Sequence, residues 1–248
     1  SKNGEFNFGL LSKIKLFPDK EFFNEKIESI EQAAMEWENA QNKINEDQKI
    51  KFFKTHSFLG TYKNRPFTTS KQTLGGIYIV RDPRNVFSSL ENHFSMNDDE
   101  TMKMILDETR GLIARPGIYS SFSYISSWSK HYISWVKSKN QFRKLVIRYE
   151  DLLTNKYETF RDIIVFTNTL LNRTERVDKQ KLQKAIETTD FNTLKNIEIQ
   201  EGLDKSITPF KKWRNIHKEN KNLFFNLGPD NDWKKFLDKK LVNKIEEK

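Results

Sequence analysis

Residues 75–89 carry the clearest structural signal in the chain and read GGIYIVRDPRNVFSS. Their first six residues are two glycines and an apolar, β-branched run, a pattern typical of a buried parallel strand. Asp82 and Pro83 follow, with the residue types of a helix N-cap and of the first helical position. Arg81 lies between strand and helix, where its guanidinium, the backbone N–H groups and the helix dipole all favour an anion. We therefore predict a strand–helix unit with an anion site at its turn.

Ser89 adds a hydroxyl to this predicted anion site. It lies about two helical turns past Asp82, so we expect both residues on one face of the helix. An Arg81–Asp82 pair in an ordinary capped helix would explain these residues without a ligand. We favour the ligand because the strand, the cap, the guanidinium and the hydroxyl all agree.

Strands and helices alternate on either side of this segment. Apolar runs predict strands at residues 49–56, 75–80 and 145–149, with loops at 57–73 and 202–222. Apolar residues at helical spacing predict one helix after Asp82 and others at 21–45, 100–112, 119–137, 157–171, 179–188, 190–199 and 233–247. This alternation predicts an α/β fold, a parallel sheet flanked by helices, with residues 1–248 as a single domain.

Composition limits the classes of protein and of partner. The chain has 248 residues, of which 20 are Phe and 5 are Trp, so it can bury a sizeable aromatic core. Its net charge of +9 fits either a solubilising surface or a polyanionic partner, whether nucleotide, nucleic acid or anionic lipid, and charge alone does not decide between them. The absence of cysteine excludes disulfides, thiolate metal sites and a cysteine nucleophile. Since no apolar run approaches 18 residues, we expect no membrane span.

Polar residues also follow the other two predicted strands. Lys54 and His56 are two apart on an extended segment, so an ammonium group and a possible base share one face. Tyr149, with Glu150 and Asp151 after it, comes at the end of the third strand. Ordinary solvated strand ends would explain either group taken alone. Ligands of an open parallel sheet bind beyond these carboxyl ends, so we expect the three groups at one edge.

The order of these segments resembles the sulfotransferase family that uses 3′-phosphoadenosine 5′-phosphosulfate (PAPS). The matching segments are KTH at residues 54–56, the run 77–89, YED at 149–151, TDF at 189–191, and FFNLG with the following NDWK at 224–234. The resemblance covers residues 52–234, and the segment from Arg81 to Ser89 is its most specific part. It implies a P-loop NTPase-like sulfotransferase fold.

The resemblance also implies the chemistry. PAPS would be the co-substrate and 3′-phosphoadenosine 5′-phosphate (PAP) the product, and no metal would be required. His56 would be the general base that removes the proton from an acceptor hydroxyl. Lys54 would help to neutralise charge around the transferred sulfuryl group. The reaction would resemble phosphoryl transfer, in which positioning and electrostatics do most of the catalysis.

The binding roles follow from the same resemblance. Arg81 and Ser89 would hold the 3′-phosphate of the donor. Tyr149, Thr189 and Phe191 would line the adenosine pocket, with the Phe191 ring facing the base. Gly228 would let the backbone approach the 3′-phosphate closely, because glycine has no side chain in the way.

Two departures from the family pattern have consequences. The loop that binds the 5′-phosphosulfate, of the type Lys-Ser-Gly-(Thr or Asn)-Thr-Trp, does not occur in residues 1–53. We therefore expect an N-terminally incomplete chain without the first strand, which alone binds the donor weakly and catalyses little. The pair Asn226-Leu227 stands where the family often has Arg-Lys. Basic side chains of the preceding loop are candidate replacements: Lys211, Lys212, Arg214 and Lys221.

Two other classes compete with the sulfotransferase interpretation. A basic nucleotide- or nucleic-acid-binding domain would use the positive charge and the aromatic residues. A P-loop kinase of related fold would need a Walker A loop, and the chain has no Gly-Lys-Ser/Thr sequence. Separate cations at strand ends suit one compact ligand better than a nucleic-acid backbone. We therefore expect a small-molecule or carbohydrate hydroxyl acceptor, no nucleic acid, and a cytoplasmic protein.

Overall fold

The structure, a computed structural model, describes residues 14–23, 27, 29–112, 123–138, 142–201 and 223–247. These residues form two compact units. The N-terminal unit contains Ile14–Tyr78 and Lys103–Lys144, and the C-terminal unit contains residues 79–102 and 145–247. The prediction that residues 1–248 form a single domain stays a prediction, as does the expected N-terminal truncation.

The elements are, in chain order, β1 (Lys15–Leu16), α1 (Ile30–Asn45), β2 (Phe53–Lys54), β3 (Thr61–Tyr62), β4 (Arg65–Pro66), β5 (Gly75–Val80), α2 (Pro83–Phe94), α3 (Asp98–Leu106), β6 (Gly111–Leu112), β7 (Ser123–Tyr124), α4 (Trp128–Lys137), β8 (Arg143–Arg148), α5 (Tyr149–Thr154), α6 (Lys156–Leu170), α7 (Lys179–Thr188), α8 (Phe191–Glu201), α9 (Trp233–Phe236) and α10 (Lys239–Glu246). Two short 3-10 helices cover Lys20–Phe22 and Gly228–Asp230. Strands pair as β1 with β2, β3 with β4, β5 with β8, and β6 with β7. The first of these pairs is parallel.

Helix α1 supplies much of the core of the N-terminal unit. Its N-cap is Ser29, whose hydroxyl accepts a hydrogen bond from the Gln32 N–H, as helix starts require. One face then buries small residues and Trp37, at the helical spacing seen in the sequence. The Trp37 ring meets Phe67 edge to face at 5.3 Å. Such aromatic packing accounts for a stable core in a chain of low apolar content.

Several predicted boundaries in the N-terminal unit were wrong. The strand predicted at 49–56 is only Phe53–Lys54, because its partner β1 has two residues. Helix α3 ends at Leu106, and Gly111–Leu112 then forms a strand where helix was predicted. Helix α4 starts at Trp128, because the hydroxyl of Ser127 caps it. The earlier part of that predicted helix falls partly on residues 119–122, outside the described residues.

The C-terminal unit contains the strand–helix turn that the sequence predicted. Helix α2 begins at Pro83, and the Asp82 carboxylate accepts a hydrogen bond from the Arg84 N–H. Phe87 on its apolar stripe is completely buried. Tyr149, however, starts α5 rather than ending the preceding strand. The long C-terminal helix is divided at Asp238, whose side chain caps α10.

Two expectations concern the chain as a whole. Among the described residues, no helix is both long and apolar enough to cross a membrane. The predicted basic loop at 202–222, with Lys211, Lys212, Arg214 and Lys221, lies outside the described residues.

Candidate active site

Arg81 and Tyr149 meet where β5 and β8 end. The guanidinium carbon of Arg81 lies 4.5 Å from the centroid of the Tyr149 ring, a cation–π distance. Next to them, Glu150 accepts a hydrogen bond of 3.0 Å from the backbone N–H of Asp82. The structure therefore brings together two residues that are far apart in sequence, as predicted.

The Arg81 guanidinium has the features of an anion-binding group. Its Nε atom is buried and has no hydrogen-bond partner among the described residues. Burial lowers the pKa of Arg81, against the smaller opposing influence of Tyr149, Glu150 and Asp82. Buried donors in native proteins are almost always paired, so an unpaired one needs an explanation. A phosphate oxygen would satisfy this donor, and the residues present therefore fit a nucleotide phosphate.

Arg84, three residues further on, is paired throughout. Its guanidinium donates two hydrogen bonds to Asp82, at 2.9 and 2.6 Å, and a third to Glu246 at 2.6 Å. The guanidinium carbon also lies 4.0 Å from the centroid of the Trp233 ring. Arg84 therefore links α2 to α9 and α10. Sequence reasoning could not find this role, because the two distant partners have no recognisable spacing.

Ser88 and Ser89 have different environments on α2. Ser89 is exposed to solvent, so its predicted bond to a 3′-phosphate stays a prediction. The Ser88 hydroxyl donates to the side-chain oxygen of Asn231 at 2.8 Å. Asn231 in turn donates to the backbone carbonyl of Asn85 at 2.9 Å. Helix α2 thus holds the segment of residues 224–233, which we call the strap.

Helix α8 holds the other end of the strap. The buried carboxylate of Glu198 accepts hydrogen bonds from the backbone N–H groups of Phe224 and Phe225, both at 2.8 Å. The ammonium of Lys195 donates to the carbonyl of Asn226 at 2.6 Å. That ammonium also lies 5.8 Å from the centroid of the Phe191 ring. A cation therefore stands beside Asn226, where the sequence lacks the expected Arg-Lys pair.

The strap brings Gly228 against Phe191, two of the predicted nucleotide-binding residues. Gly228 has φ of +53°, a conformation that favours glycine, and a β-carbon there would overlap the Phe191 ring. Close packing on Phe191 thus explains this glycine without a ligand. Thr189 lies two residues before Phe191 and donates its hydroxyl to the Ala185 carbonyl at 2.7 Å. Its contact with adenosine stays a prediction.

Lys54 and His56 lie in the N-terminal unit. Solvent reaches both side chains, but the surrounding protein still lowers their pKa values. The pKa of His56 falls to about 4, first because of desolvation and then because a proton on His56 would lie close to the cations Lys54 and Arg110 and, once it too is protonated, to His131. His56 is therefore a neutral imidazole at pH 7, the form that accepts a proton.

His131 and Arg110 are functional candidates that sequence reasoning missed. A ring nitrogen of His131, Nε2, lies 3.3 Å from the backbone carbonyl oxygen of His56. Arg110 belongs to the segment before β6 and contributes positive charge at both histidines. No motif connects these positions to His56 in sequence. The only available signal was the helical spacing of His131 and Trp135.

Comparisons with known proteins identify the family. The family model described as Sulfotransferase domain matches residues 10–248, so the chain belongs to the sulfotransferase family. The crystal structure of mouse sulfotransferase SULT7A1 complexed with PAP is 19% identical, has a TM-score of 0.52, and covers 83% of this chain and 67% of its own. Retinol dehydratase in complex with androsterone and inactive cofactor PAP is 17% identical, with a TM-score of 0.56 over 98% of this chain and 65% of its own. A search of curated protein sequences gave no match.

These matches confirm the predicted family and the predicted α/β sulfotransferase fold, parallel strands flanked by helices. The family match also favours this class over the nucleic-acid-binding domain and the P-loop kinase. The chain spans about two thirds of the length of each structural relative.

Proposed function

We propose that this chain transfers a sulfuryl group from PAPS to a hydroxyl group of a small molecule or carbohydrate, with His56 as general base. Family membership supports sulfuryl transfer in general. The observation that carries the proposal is the buried Arg81 Nε, which has no hydrogen-bond partner among the residues described, beside the Tyr149 ring. A planar guanidinium is well suited to bind a phosphate through two donors.

The residues of the C-terminal unit would bind the nucleotide. Arg81 and Ser89 would hold the 3′-phosphate, with Arg81 oriented by the Tyr149 ring at 4.5 Å. Gly228 would let the backbone of the strap approach the 3′-phosphate closely. Thr189, Phe191 and Tyr149 would line the adenosine pocket. Both structural relatives were crystallised with PAP, which supports this choice of nucleotide.

The residues of the N-terminal unit would act on the acceptor. His56 would take the proton of the acceptor hydroxyl, because its low pKa keeps the imidazole neutral at pH 7. Lys54 would offset negative charge that develops in the transition state. PAPS, when bound, supplies the sulfuryl group.

Aromatic residues of the segments that contact His56 and of α4, which carries His131, support an acceptor with apolar surface. The rings of Phe58 and Tyr124 meet at 5.6 Å, edge to face. On α4, the rings of Trp128 and Tyr132 are stacked at 5.5 Å. Such faces suit a ring-containing alcohol or a sugar. One structural relative binds the steroid alcohol androsterone, so a steroid alcohol belongs in the acceptor panel.

Calorimetry with PAP tests the proposal. We expect PAP to bind the full chain with 1:1 stoichiometry and inosine monophosphate to bind far more weakly. Sulfuryl transfer from radiolabelled PAPS is then measured with a phenol, a steroid alcohol and an oligosaccharide as acceptors. Absence of PAP binding at millimolar concentration would overturn the proposal. Transfer that is unchanged in His56→Ala would retain the nucleotide site and reject the assignment of His56.

A further inference from the structure

Helix α4 presents three side chains to the segment that carries His56. His131 Nε2 lies 3.3 Å from the His56 carbonyl oxygen, and Trp135 Nε1 donates to the Ser57 carbonyl at 3.1 Å. The hydroxyl oxygen of Ser134 accepts a hydrogen bond of 3.0 Å from the backbone N–H of Leu59. Residues three and four apart lie on one face of a helix, so one face fixes the backbone around His56.

The hydrogen-bond partners of His131 determine which of its nitrogens carries the proton. A carbonyl oxygen can only accept, so Nε2 must donate to the His56 carbonyl. Desolvation lowers the pKa of His131, so the ring is neutral at pH 7 and its Nδ1 is an acceptor. The Tyr78 hydroxyl lies 3.1 Å from that Nδ1 and must donate to it. A directed chain therefore runs from Tyr78 through His131 to the backbone of His56.

Tyr78 is held in place to serve as this donor. Its ring is stacked on Trp135 with centroids 5.3 Å apart and planes only 6° from parallel. Burial raises the pKa of Tyr78 well above its ordinary value, so the hydroxyl keeps its proton. Gly76 leaves room for this stack, since a β-carbon there would come within 3.1 Å of the Trp135 ring. Tyr78 is thus a fixed donor to His131.

We propose that His131 is a positioning residue for His56, and that Tyr78 sets the tautomer in which His131 does this work. The catalytic part of this inference rests on the proposed function. His131 does not touch the acceptor in this role. It fixes the backbone from which the His56 ring extends, so that the ring keeps one orientation toward the hydroxyl. The arrangement follows a general pattern in which a base is oriented by a further group.

The positive charge around His56 also favours a neutral His131. The groups that face His56 are the cations Lys54 and Arg110, together with His131 itself. A second proton on His131 would add positive charge beside these cations. It would also turn Nδ1 into a donor, which would compete with the Tyr78 hydroxyl. The Tyr78 hydrogen bond therefore stabilises the form of His131 that suits the general base.

Nitrogen NMR of the histidines tests the hydrogen-bond chain directly, without any ligand. The chain has four histidines, His56, His93, His131 and His217, so their signals can be assigned by substitution. We expect His131 to be neutral at pH 7, with the proton on Nε2. In Tyr78→Phe the Trp135 stack is retained but the donor is lost, and we expect a mixture of the two tautomers. A proton on Nδ1 in the wild type would overturn the inference.

Substitutions of His131 test positioning. His131→Phe removes the donor but keeps a ring, and we expect the NMR signals of the His56 ring to broaden, because the backbone that carries the ring is no longer fixed. His131→Gln can still donate to the His56 carbonyl, and we expect it to retain the wild-type signals. Ile133→Ala, on the opposite face of α4 and half exposed, is the matched control and should change nothing. Unchanged His56 signals in His131→Phe would contradict positioning.

Kinetics then separate positioning from a merely structural role. We expect His131→Phe to lower kcat about 10- to 100-fold, with KM for PAPS unchanged, because a misplaced base affects the chemical step. His131→Gln should recover most of kcat. Equal loss in both variants, or a change confined to KM, would reject the positioning role. If His131→Phe does not fold, the His131 tautomer, measured by NMR in the wild type and in Tyr78→Phe, tests the inference instead. If PAP does not bind at all, the proposed function fails while the NMR result still decides the hydrogen-bond chain.

Discussion

The guanidinium of Arg81 packs against the face of the Tyr149 ring, and the two residues directly follow two paired strands, β5 and β8. The ring covers one face of the guanidinium. The N–H donors along the edge of the guanidinium therefore need acceptors from other groups. Within the part of the chain that the structure describes, the buried Nε finds none. An arginine oriented by an aromatic ring and short of an acceptor is prepared for a ligand with oxygen atoms.

Replacement of Arg81 should separate binding from stability. We expect Arg81→Gln to weaken PAP binding about 10- to 100-fold, because a hydrogen-bonded charge is lost at the phosphate. Its thermal stability should change little, since Arg81 Nε has no hydrogen-bond partner to lose among the described residues. Calorimetry and thermal unfolding of the same preparations measure both quantities.

Arg84→Gln is the matched control for this prediction. Arg84 lies three residues after Arg81, in the first turn of α2, and its guanidinium is paired with Asp82 and Glu246. We expect its loss to lower the free energy of unfolding by about 1–2 kcal/mol with a smaller effect on PAP affinity. If instead the Arg84 variant loses PAP binding and the Arg81 variant loses stability, the two roles have been assigned the wrong way round.

Mononucleotides should reveal which phosphate the chain recognises. The residues proposed for the 3′-phosphate are present, whereas the sequence of residues 1–53 has no 5′-phosphosulfate loop. We therefore expect adenosine 3′-monophosphate to bind almost as tightly as PAP, and adenosine 5′-monophosphate to bind at least about tenfold more weakly, a difference of about 1.4 kcal/mol. Competition calorimetry at constant ionic strength makes the comparison. The reverse order would place the 5′-phosphate, not the 3′-phosphate, at Arg81.

Glu198 should be required for the strap. Its buried carboxylate accepts two backbone hydrogen bonds, and a glutamine amide cannot accept both without turning a donor toward one of them. We expect Glu198→Gln to lower the free energy of unfolding by about 1–3 kcal/mol and to weaken PAP binding through Gly228. Urea unfolding measures the first effect. Glu187→Gln, at an exposed position of α7, serves as the control and should leave both quantities within error.

The lowered pKa of His56 predicts a specific dependence on pH. The unfolded chain binds a proton at His56 near pH 6.5, whereas the folded chain does so only near pH 4. Stability should therefore fall as the pH is lowered from 6.5 toward 4, and His56→Asn should lose that part of the fall. The acid limb of kcat/KM should lie near pH 4. A limb near 6.5 would mean that the base is an ordinary, solvated histidine.

The sequence was most informative where local and tertiary requirements coincide. The strand, turn and helix from Gly75 to Phe94 were predicted because Asp82 and Pro83 signal the helix start by their own chemistry. The contact of Arg81 with Tyr149 followed from the rule that strand ends share an edge. These features depend on few residues, all of which lie close to the strand ends.

The sequence was least informative where a distant partner determines the structure. Helix α3 ends at Leu106 because the chain then pairs as a strand with Ser123–Tyr124, which no local pattern indicates. Similarly, no local pattern indicates that the Ser88 hydroxyl donates to Asn231, because Asn231 lies far along the chain. Whether Ser89 serves a ligand is therefore still a prediction.

The strap connects helices α2 and α8 through hydrogen bonds. It is attached to α8 through Glu198 and to α2 through Asn231, and Gly228 lies between these attachments. A ligand that contacts Gly228 would therefore stabilise both attachments, the one at Glu198 and the one at Asn231. Amide hydrogen exchange should then slow in α2 and in α8 together, although 96 residues of sequence, 95–190, separate the two helices. Nucleotide binding would thus reduce local unfolding in the two helices to which the strap is attached.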